Sequence, residues 1–315
     1  MPSLSGGLVE SNSAQVSGAS LGGAAGGGIH AGNLDAKYSI VRNNSAIVSE
    51  SANAMIARSG GAELIGEGIS TIKYSTFSGN TANASGAVNG GGAAITFGTS
   101  SSATGSLTIK SSTIANNTTI NSKKYGGALS LRKDAVIRSS TISGNVERNA
   151  PADIASSKYG AGITLDDGVQ LTMTSTIVAN NNAMRLTGTA ALLSDLGLSD
   201  PASDTAAVVG TQNFRNFSHE NITWPAGNFG SALISVRLGS LRDNGGLTPT
   251  MMPDADSPVI DNGGTTGLGH PLNPGAPLMD QRGEGFPRVF GTQADIGAVE
   301  WRLVPEIFAD GFESD

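Results

Sequence analysis

Five segments of this chain end alike, and that shared ending constrains the fold more than any other feature. They are Ser39-Ile-Val-Arg-Asn-Asn44, Ser75-Thr-Phe-Ser-Gly-Asn80, Ser112-Thr-Ile-Ala-Asn-Asn117, Ser140-Thr-Ile-Ser-Gly-Asn145 and Thr176-Ile-Val-Ala-Asn-Asn181. The closing Asn residues fall 36, 37, 28 and 36 positions apart. A weaker copy, Leu8-Val-Glu-Ser-Asn12, lies 32 residues before Asn44, so the chain opens part-way round a repeat. Self-similarity at such a period marks a solenoid, in which each unit buries its apolar face only against its neighbours.

Each repeat also holds a Gly cluster followed by an apolar residue: Gly26 to Ile29, Gly66 to Ile69, Gly90 to Ala93, Gly126 to Leu129 and Gly160 to Ile163. Between cluster and ending lie short alternating runs such as Leu107-Thr-Ile109 and Leu171-Thr-Met173. Alternation over three to five residues, bounded by Gly, Ser and Asn, reads as strand. Three short strands and three turns per repeat make one coil of a parallel β-helix. Ile, Leu and Val point inward and stack on the coil below, about 4.8 Å away. Gly and Asn take the left-handed corner conformations. Asn44, Asn80, Asn117, Asn145 and Asn181 are then placed to form an amide ladder along the axis. A β-sandwich, with longer strands, does not explain the shared ending. The expectation is an all-β, right-handed parallel β-helix of about six coils over residues 1–182.

Composition agrees. Glycine contributes 44 of 315 residues and charged residues only 14%, against typical shares of roughly 7% and 25%. Collagen is excluded because the glycines keep no three-residue period. The net charge is −7 and no run of Lys or Arg occurs, which argues against nucleic acid or an anionic membrane as partner. Cysteine is absent, so thiolate chemistry and disulfides are excluded. No stretch approaches the 18 apolar residues of a membrane span. The first residues show neither a basic nor an apolar leader segment, so no signal peptide is read here.

After Asn182 the repeat stops. Residues 183–300 are expected to hold degenerate coils and a C-terminal cap, with a tail over 301–315, since an uncapped coil exposes strand edges. Within this stretch Asp243-Asn-Gly-Gly-Leu-Thr-Pro-Thr250, Ser257-Pro-Val-Ile-Asp261, Asp280-Gln-Arg-Gly283 and Asp295-Ile-Gly-Ala-Val-Glu300 follow in order. They resemble the choice-of-anchor Q domain family of bacterial secreted and surface proteins. The preceding Phe77-Ser-Gly-Asn80 and Gly126-Gly-Ala-Leu129 look like the repeats of polymorphic outer-membrane proteins. The resemblance implies an exported β-helix on a Gram-negative cell surface or released from it, and it supplies no catalytic residue. Asp261, Asp280, Arg282, Asp295 and Glu300 are its motif residues, for which Arg–carboxylate pairing within the cap is the expectation.

The chemistry-bearing residues are few. His30, His219 and His270 are far apart and suggest no metal site. Phe214, Phe217 and Trp224 read as a small cap core, with sugar stacking as the alternative. Tyr125 and Tyr159 precede equivalent Gly clusters and should stack. Arg132-Lys133-Asp134 and Asp166-Asp167-Gly168 occupy equivalent corners one coil apart. There, Asp134, Asp166 and Asp167 could act as acid and base or hold Ca²⁺, with Lys133 abstracting or stabilising. The simpler reading is charged turns, because Asp-Gly is a favoured turn dipeptide. Asp254, Asp256 and Asp261 are a second possible Ca²⁺ set, although Pro258 and their spacing do not fit an EF-hand loop. No cofactor is otherwise implied.

Two functions follow as alternatives. One is a non-catalytic extracellular or cell-surface scaffold, an adhesin or glycan-binding passenger, whose partner is a polysaccharide or a cell-surface protein. The other is a carbohydrate-active lyase or hydrolase using Lys133, Asp134, Asp166 and Asp167. A chain that opens mid-coil would be a monomer, or would associate end to end if it lacks an N-terminal cap.

Overall fold

The computed structural model describes residues 2–17, 23–49, 56–85, 89–121, 126–149, 160–185, 191–264 and 279–302. Tyr125, Tyr159, His270 and the 303–315 tail lie outside these. The described elements are all β. One coil runs Ile95–Phe97, Ser106–Lys110, Thr113–Ala115 and Thr118–Ile120. Stacking of successive coils makes four long sheets, called first to fourth in that order, of six, eight, seven and seven strands. All strand pairs are parallel except Asn182–Arg185 with Ala191–Leu193. This is a parallel β-helix, the topology in which right-handed crossovers are the general rule. The expected six coils compare with six to eight strands per sheet.

Register explains the alternation. In the third sheet Val9, Val41, Phe77, Ile114, Ile142 and Val178 are successive partners. From Val41 to Val178 they are wholly buried. In the second sheet Ala36, Ile72, Ile109, Ile137 and Met173 form a matching inward column. Each buried aliphatic or aromatic side chain contributes about 1.5–3 kcal/mol relative to exposure. The last third-sheet rung places Arg215 beside Val178. Its guanidinium lies 4.6 Å from the Trp224 ring, and Trp224 in turn packs on the core. These two residues cover the end of the column.

The repeated ending acquires a residue-by-residue meaning. The penultimate position, Asn43, Gly79, Asn116, Gly144 or Asn180, has φ of 55°, 64°, 58°, 70° or 59°. Glycine and asparagine tolerate that left-handed corner best. The final Asn turns inward and is buried at every rung from Asn44 to Asn181. Its Nδ2 donates to Oδ1 of the Asn one coil on, at 2.8–3.1 Å from Asn44 through Asn145. The backbone N of the same residue donates to that same oxygen. The second amide proton goes back to Val9, Val41, Phe77, Ile114 or Ile142 O. The opening Ser of the motif builds a parallel ladder: Ser39 N donates to Ser75 Oγ, Ser75 N to Ser112 Oγ, and Ser112 N to Ser140 Oγ.

The Gly clusters pack against the asparagine ladder. A Cβ on Gly28 would sit 2.9 Å from Asn44 Cγ, and one on Gly162 2.9 Å from Asn181 Nδ2. One cluster differs from the sequence reading. Ala62 is the register partner of Ile29 and Ile95, so Gly60-Gly61, not Gly66 to Gly68, is the equivalent pair in its coil.

The C-terminal segment does not sit over the end of the stack as a cap would. Residues 231–264 and 279–302 run as a strap along the flank, over the corner between the second and third sheets. Val236, Val259 and Ile296 pack on Ile177, Ala179 and Phe214. Ala298 N donates to Thr141 Oγ1. Gln281 Oε1 accepts from Thr113 Oγ1, and its Nε2 donates to Thr76 Oγ1. At the far end Gly283 lies against Tyr38. The strap thus spans from the second to the seventh rung of the third sheet. Phe214 belongs to its small core, which settles one member of the aromatic set.

Candidate functional site

The corner from the first to the second sheet is short in two adjacent coils. Arg132, Lys133 and Asp134 join Leu129–Leu131 to Ala135–Arg138, and Asp166 to Val169 join Ile163–Leu165 to Gln170–Thr174. Because Leu131 pairs with Leu165, the two charged corners are neighbours, one rung apart. The preceding coil has a longer corner, residues 98–105, that rises beside them. Between them lies an open cleft of about 330 Å³ lined by Thr104, Gly105, Lys133, Asp134, Asp167 and Gly168. A smaller one, about 160 Å³, lies on the other side of Arg132 and Lys133.

Each corner carboxylate is engaged in holding its loop. Asp134 Oδ1 accepts from Gln170 N at 2.8 Å, and Asp167 Oδ1 from Thr205 N at 3.1 Å, each from the following coil. Asp166 Oδ2 lies 3.5 Å from Arg132 Nε, and its Oδ1 is 2.6 Å from Ser199 Oγ. The same hydroxyl lies 2.5 Å from Asp204 Oδ2; with one proton, it donates to one carboxylate at a time. The Lys133 stem packs over Gly98, and its amine makes no ion pair among the described residues.

The other candidate sets separate. Asp256 pairs with Arg237, whereas Asp261 Oδ1 accepts from Gln293 N. The Asp254 backbone closes a turn with Arg237 and Ser257. Among the described residues no group of three or more His, Cys, Asp or Glu could hold a metal ion. His30 Nδ1 lies 3.1 Å from Glu63 Oε2, while His219 Nδ1 accepts from Asn221 N.

Asp280, Arg282, Asp295 and Glu300 are brought together, deep in the strap. Arg282 Nη2 meets Asp280 Oδ2 at 2.6 Å and donates to Glu300 O at 2.6 Å. Glu300 accepts from Phe290 N and Asp295 N, and Asp295 from Asp261 N and Trp301 N. Arg288, wholly buried, donates to Asp295 O. Burial pushes the Glu300 carboxyl up to about 7, against the pull of Arg288. Burial raises Asp295 also. These groups hold backbone amides of the strap's own loops.

Sequence reasoning missed Asp195. This wholly buried residue ends the asparagine ladder. Asn181 donates to its Oδ1, and Asn216 N and Phe217 N donate to its Oδ2 at 2.9 and 2.8 Å. Burial pushes its carboxyl up to about 6, although these N–H donors favour the charge. A polar residue followed by the apolar Leu196 was the available signal, but it falls 14 residues after Asn181 rather than one repeat later.

No family model, curated protein or solved structure matches the chain. The arrangement of its own residues therefore carries the functional argument. No helix among the described residues is long and apolar enough to cross a membrane.

Proposed function

We propose that this protein is a non-catalytic extracellular or cell-surface scaffold that holds a polysaccharide or a cell-surface protein along its coil. The observation that carries this reading is the engagement of the corner carboxylates. Asp134 and Asp167 each bind a backbone amide of the next coil, and Asp166 is held by Arg132 and Ser199. A general acid or base has to exchange its proton with substrate, and these groups are committed to closing turns. The order of motifs from Asp243 to Glu300, resembling an exported bacterial family, supports the extracellular placement.

A second reading keeps the cleft as the active site of a carbohydrate-active enzyme, favoured by a Lys133 amine that has no ion pair among the described residues and shares the cleft with Asp134 and Asp167. One experiment separates the two. A panel of polysaccharides is scored for retention and for chain cleavage, with and without Ca²⁺. The scaffold reading expects retention without cleavage. Cleavage that disappears in Asp166→Ala or Lys133→Ala would overturn it.

A further inference from the structure

The second sheet carries a column of like charges that the linear sequence conceals. Lys37 is the register partner of Lys73, Lys73 of Lys110, and Lys110 of Arg138. They are 36, 37 and 28 residues apart in the chain but successive rungs of one parallel sheet, about 4.8 Å apart. Their strand neighbours Ala36, Ile72, Ile109 and Ile137 face the core, so alternation sends all four cations outward. Lys37 is exposed and the other three are half-buried.

Directly opposed like charges on one sheet face are destabilising. Elsewhere this coil avoids them. Glu10 faces Arg42 across one rung and binds it at 2.8 and 3.1 Å. Glu63 sits one rung from His30 and takes both it and Arg58. In the four-cation column no such pairing occurs: among the described residues none of Lys37, Lys73, Lys110 and Arg138 has an ion pair. Lys110, in the middle, has its ammonium pushed below the usual lysine range by burial and by Arg138 and Lys73. Acidic groups stand near its first two rungs, Asp35 on the Lys37 strand, Glu284 by Tyr38 and Asp280 by Tyr74, and Asp280 is taken by Arg282. In a chain of net charge −7, four aligned and unneutralised cations are a built feature of one face.

We infer that Lys37, Lys73, Lys110 and Arg138 form a docking stripe for a linear anionic glycan, a chain bearing carboxylate or sulfate groups, laid parallel to the coil axis. A polymer that carries charge along an extended chain can set several of its anions against this row of cations at once. Thr71 and Thr108 lie two positions before Lys73 and Lys110 on the same outward face, and supply hydroxyls for sugar oxygens. Single-stranded nucleic acid fits less well. It is held by open aromatic platforms, and the nearby rings of Tyr38 and Tyr74 are stacked on each other, 4.9 Å between centroids. The inference rests on the scaffold reading only in taking a polymer as partner.

The test uses the full chain with polygalacturonate, heparin, neutral dextran and oligo-dT as probes, by calorimetry or affinity electrophoresis at about 50 mM and about 200 mM salt. Polygalacturonate or heparin should bind and dextran should not; which of the two binds tells carboxylate from sulfate recognition. Lys73→Gln/Lys110→Gln should weaken binding at least tenfold and lower the slope of log affinity against log salt by about one to two. Arg242→Gln, an exposed cation outside the column, should change neither. The double variant should keep its circular dichroism and an equal or higher denaturation midpoint, since it removes repulsion. Absence of binding to both anionic glycans, affinity unchanged in the double variant, or oligo-dT bound as tightly with the same dependence on Lys73 and Lys110 would each overturn the proposal. Cleavage of a glycan with binding intact would instead overturn the scaffold reading and leave the stripe standing.

Discussion

Asn181 gives a single oxygen of Asp195 two hydrogen bonds, from its Nδ2 at 2.9 Å and from its backbone N at 3.1 Å. Every earlier rung repeats that geometry with an amide oxygen as acceptor. The donors all point toward later coils, so the carboxylate stands where the aligned amide dipoles end in N–H groups. Its second oxygen accepts two further backbone amides. Asp195→Asn would turn an NH2 toward Asn216 N and Phe217 N and leave donors facing donors. The expected loss is about 1–3 kcal/mol, read as a lower urea midpoint with unchanged slope. A midpoint equal to the parent's would show that the ladder does not need its anionic end.

The raised carboxyls of Asp195 and Glu300 set a pH dependence of definite sign. Both lie higher in the folded protein, at about 6 and about 7, than the ordinary carboxyl values of 3.8 and 4.5. The folded state therefore binds more protons between those limits, and stability rises as pH falls from 8 toward 5. The gain is complete below the unfolded values and lost as pH climbs through the folded ones. Denaturation midpoints at pH 8, 6.5 and 5 check this, and Glu300→Gln should flatten the upper part of the rise. A midpoint that falls steadily from pH 8 to 5 would contradict it.

In the middle of the ladder, Asn117→Ala strips partners from Asn80 N, Asn80 Nδ2, Asn145 Oδ1 and Phe77 O together. Asn145 Oδ1 keeps the backbone N of residue 117, but the buried Asn80 donors lose their acceptor, which should cost about 3 kcal/mol or more. Asn12→Ala, at the partly exposed first rung, should cost under about 1 kcal/mol. Equal losses at the two positions would mean that the ladder is not cooperative with the core.

Gly162→Ala should destabilise by about 1–3 kcal/mol, because its Cβ would meet Asp195 O at 2.6 Å and Asn181 Nδ2 at 2.9 Å. Gly168→Ala meets nothing within 4 Å and should cost only the left-handed penalty, about 1 kcal/mol. Thermal unfolding of the two variants side by side gives the comparison, and a reversed order would refute the close approach of cluster and ladder.

Gln281 ties the strap to two coils at once. Gln281→Ala should speed hydrogen exchange and proteolysis within residues 279–302 while far-UV circular dichroism stays unchanged. Uniform exchange across coil and strap would show that the strap is not a separable layer.

The repeat made the fold legible because coil contacts recur at one sequence interval. Two residues of the ending could be assigned from the chain alone, a corner that needs positive φ and an Asn placed to form an amide ladder; that the Asn faces inward became visible only in the structure. The Ser that opens the ending was equally visible, but its ladder was not read, since serine at a strand start is also an ordinary turn residue. Asp195 escaped because the hairpin of Asn182–Arg185 and Ala191–Leu193 breaks the interval just before it. Gly66 to Gly68 mimicked a cluster one corner away from Gly60 and Gly61. The column from Lys37 to Arg138 escaped for the opposite reason. A charge cluster sought along the chain needs consecutive residues, and this one exists only once the coils are stacked. The strap's course was not legible either, as its bonds to Thr76 and Thr113 join residues 205 and 168 positions apart.

A stack whose coils touch only their neighbours opens from its ends, one unit at a time. Here the strap crosses the rungs from Tyr38 to Phe214 and is bonded to several of them on the way. Tension along the axis would therefore load those bonds in shear, all together, before any two coils could part. The molecule is built less like a pile of plates than like a pile that has been splinted.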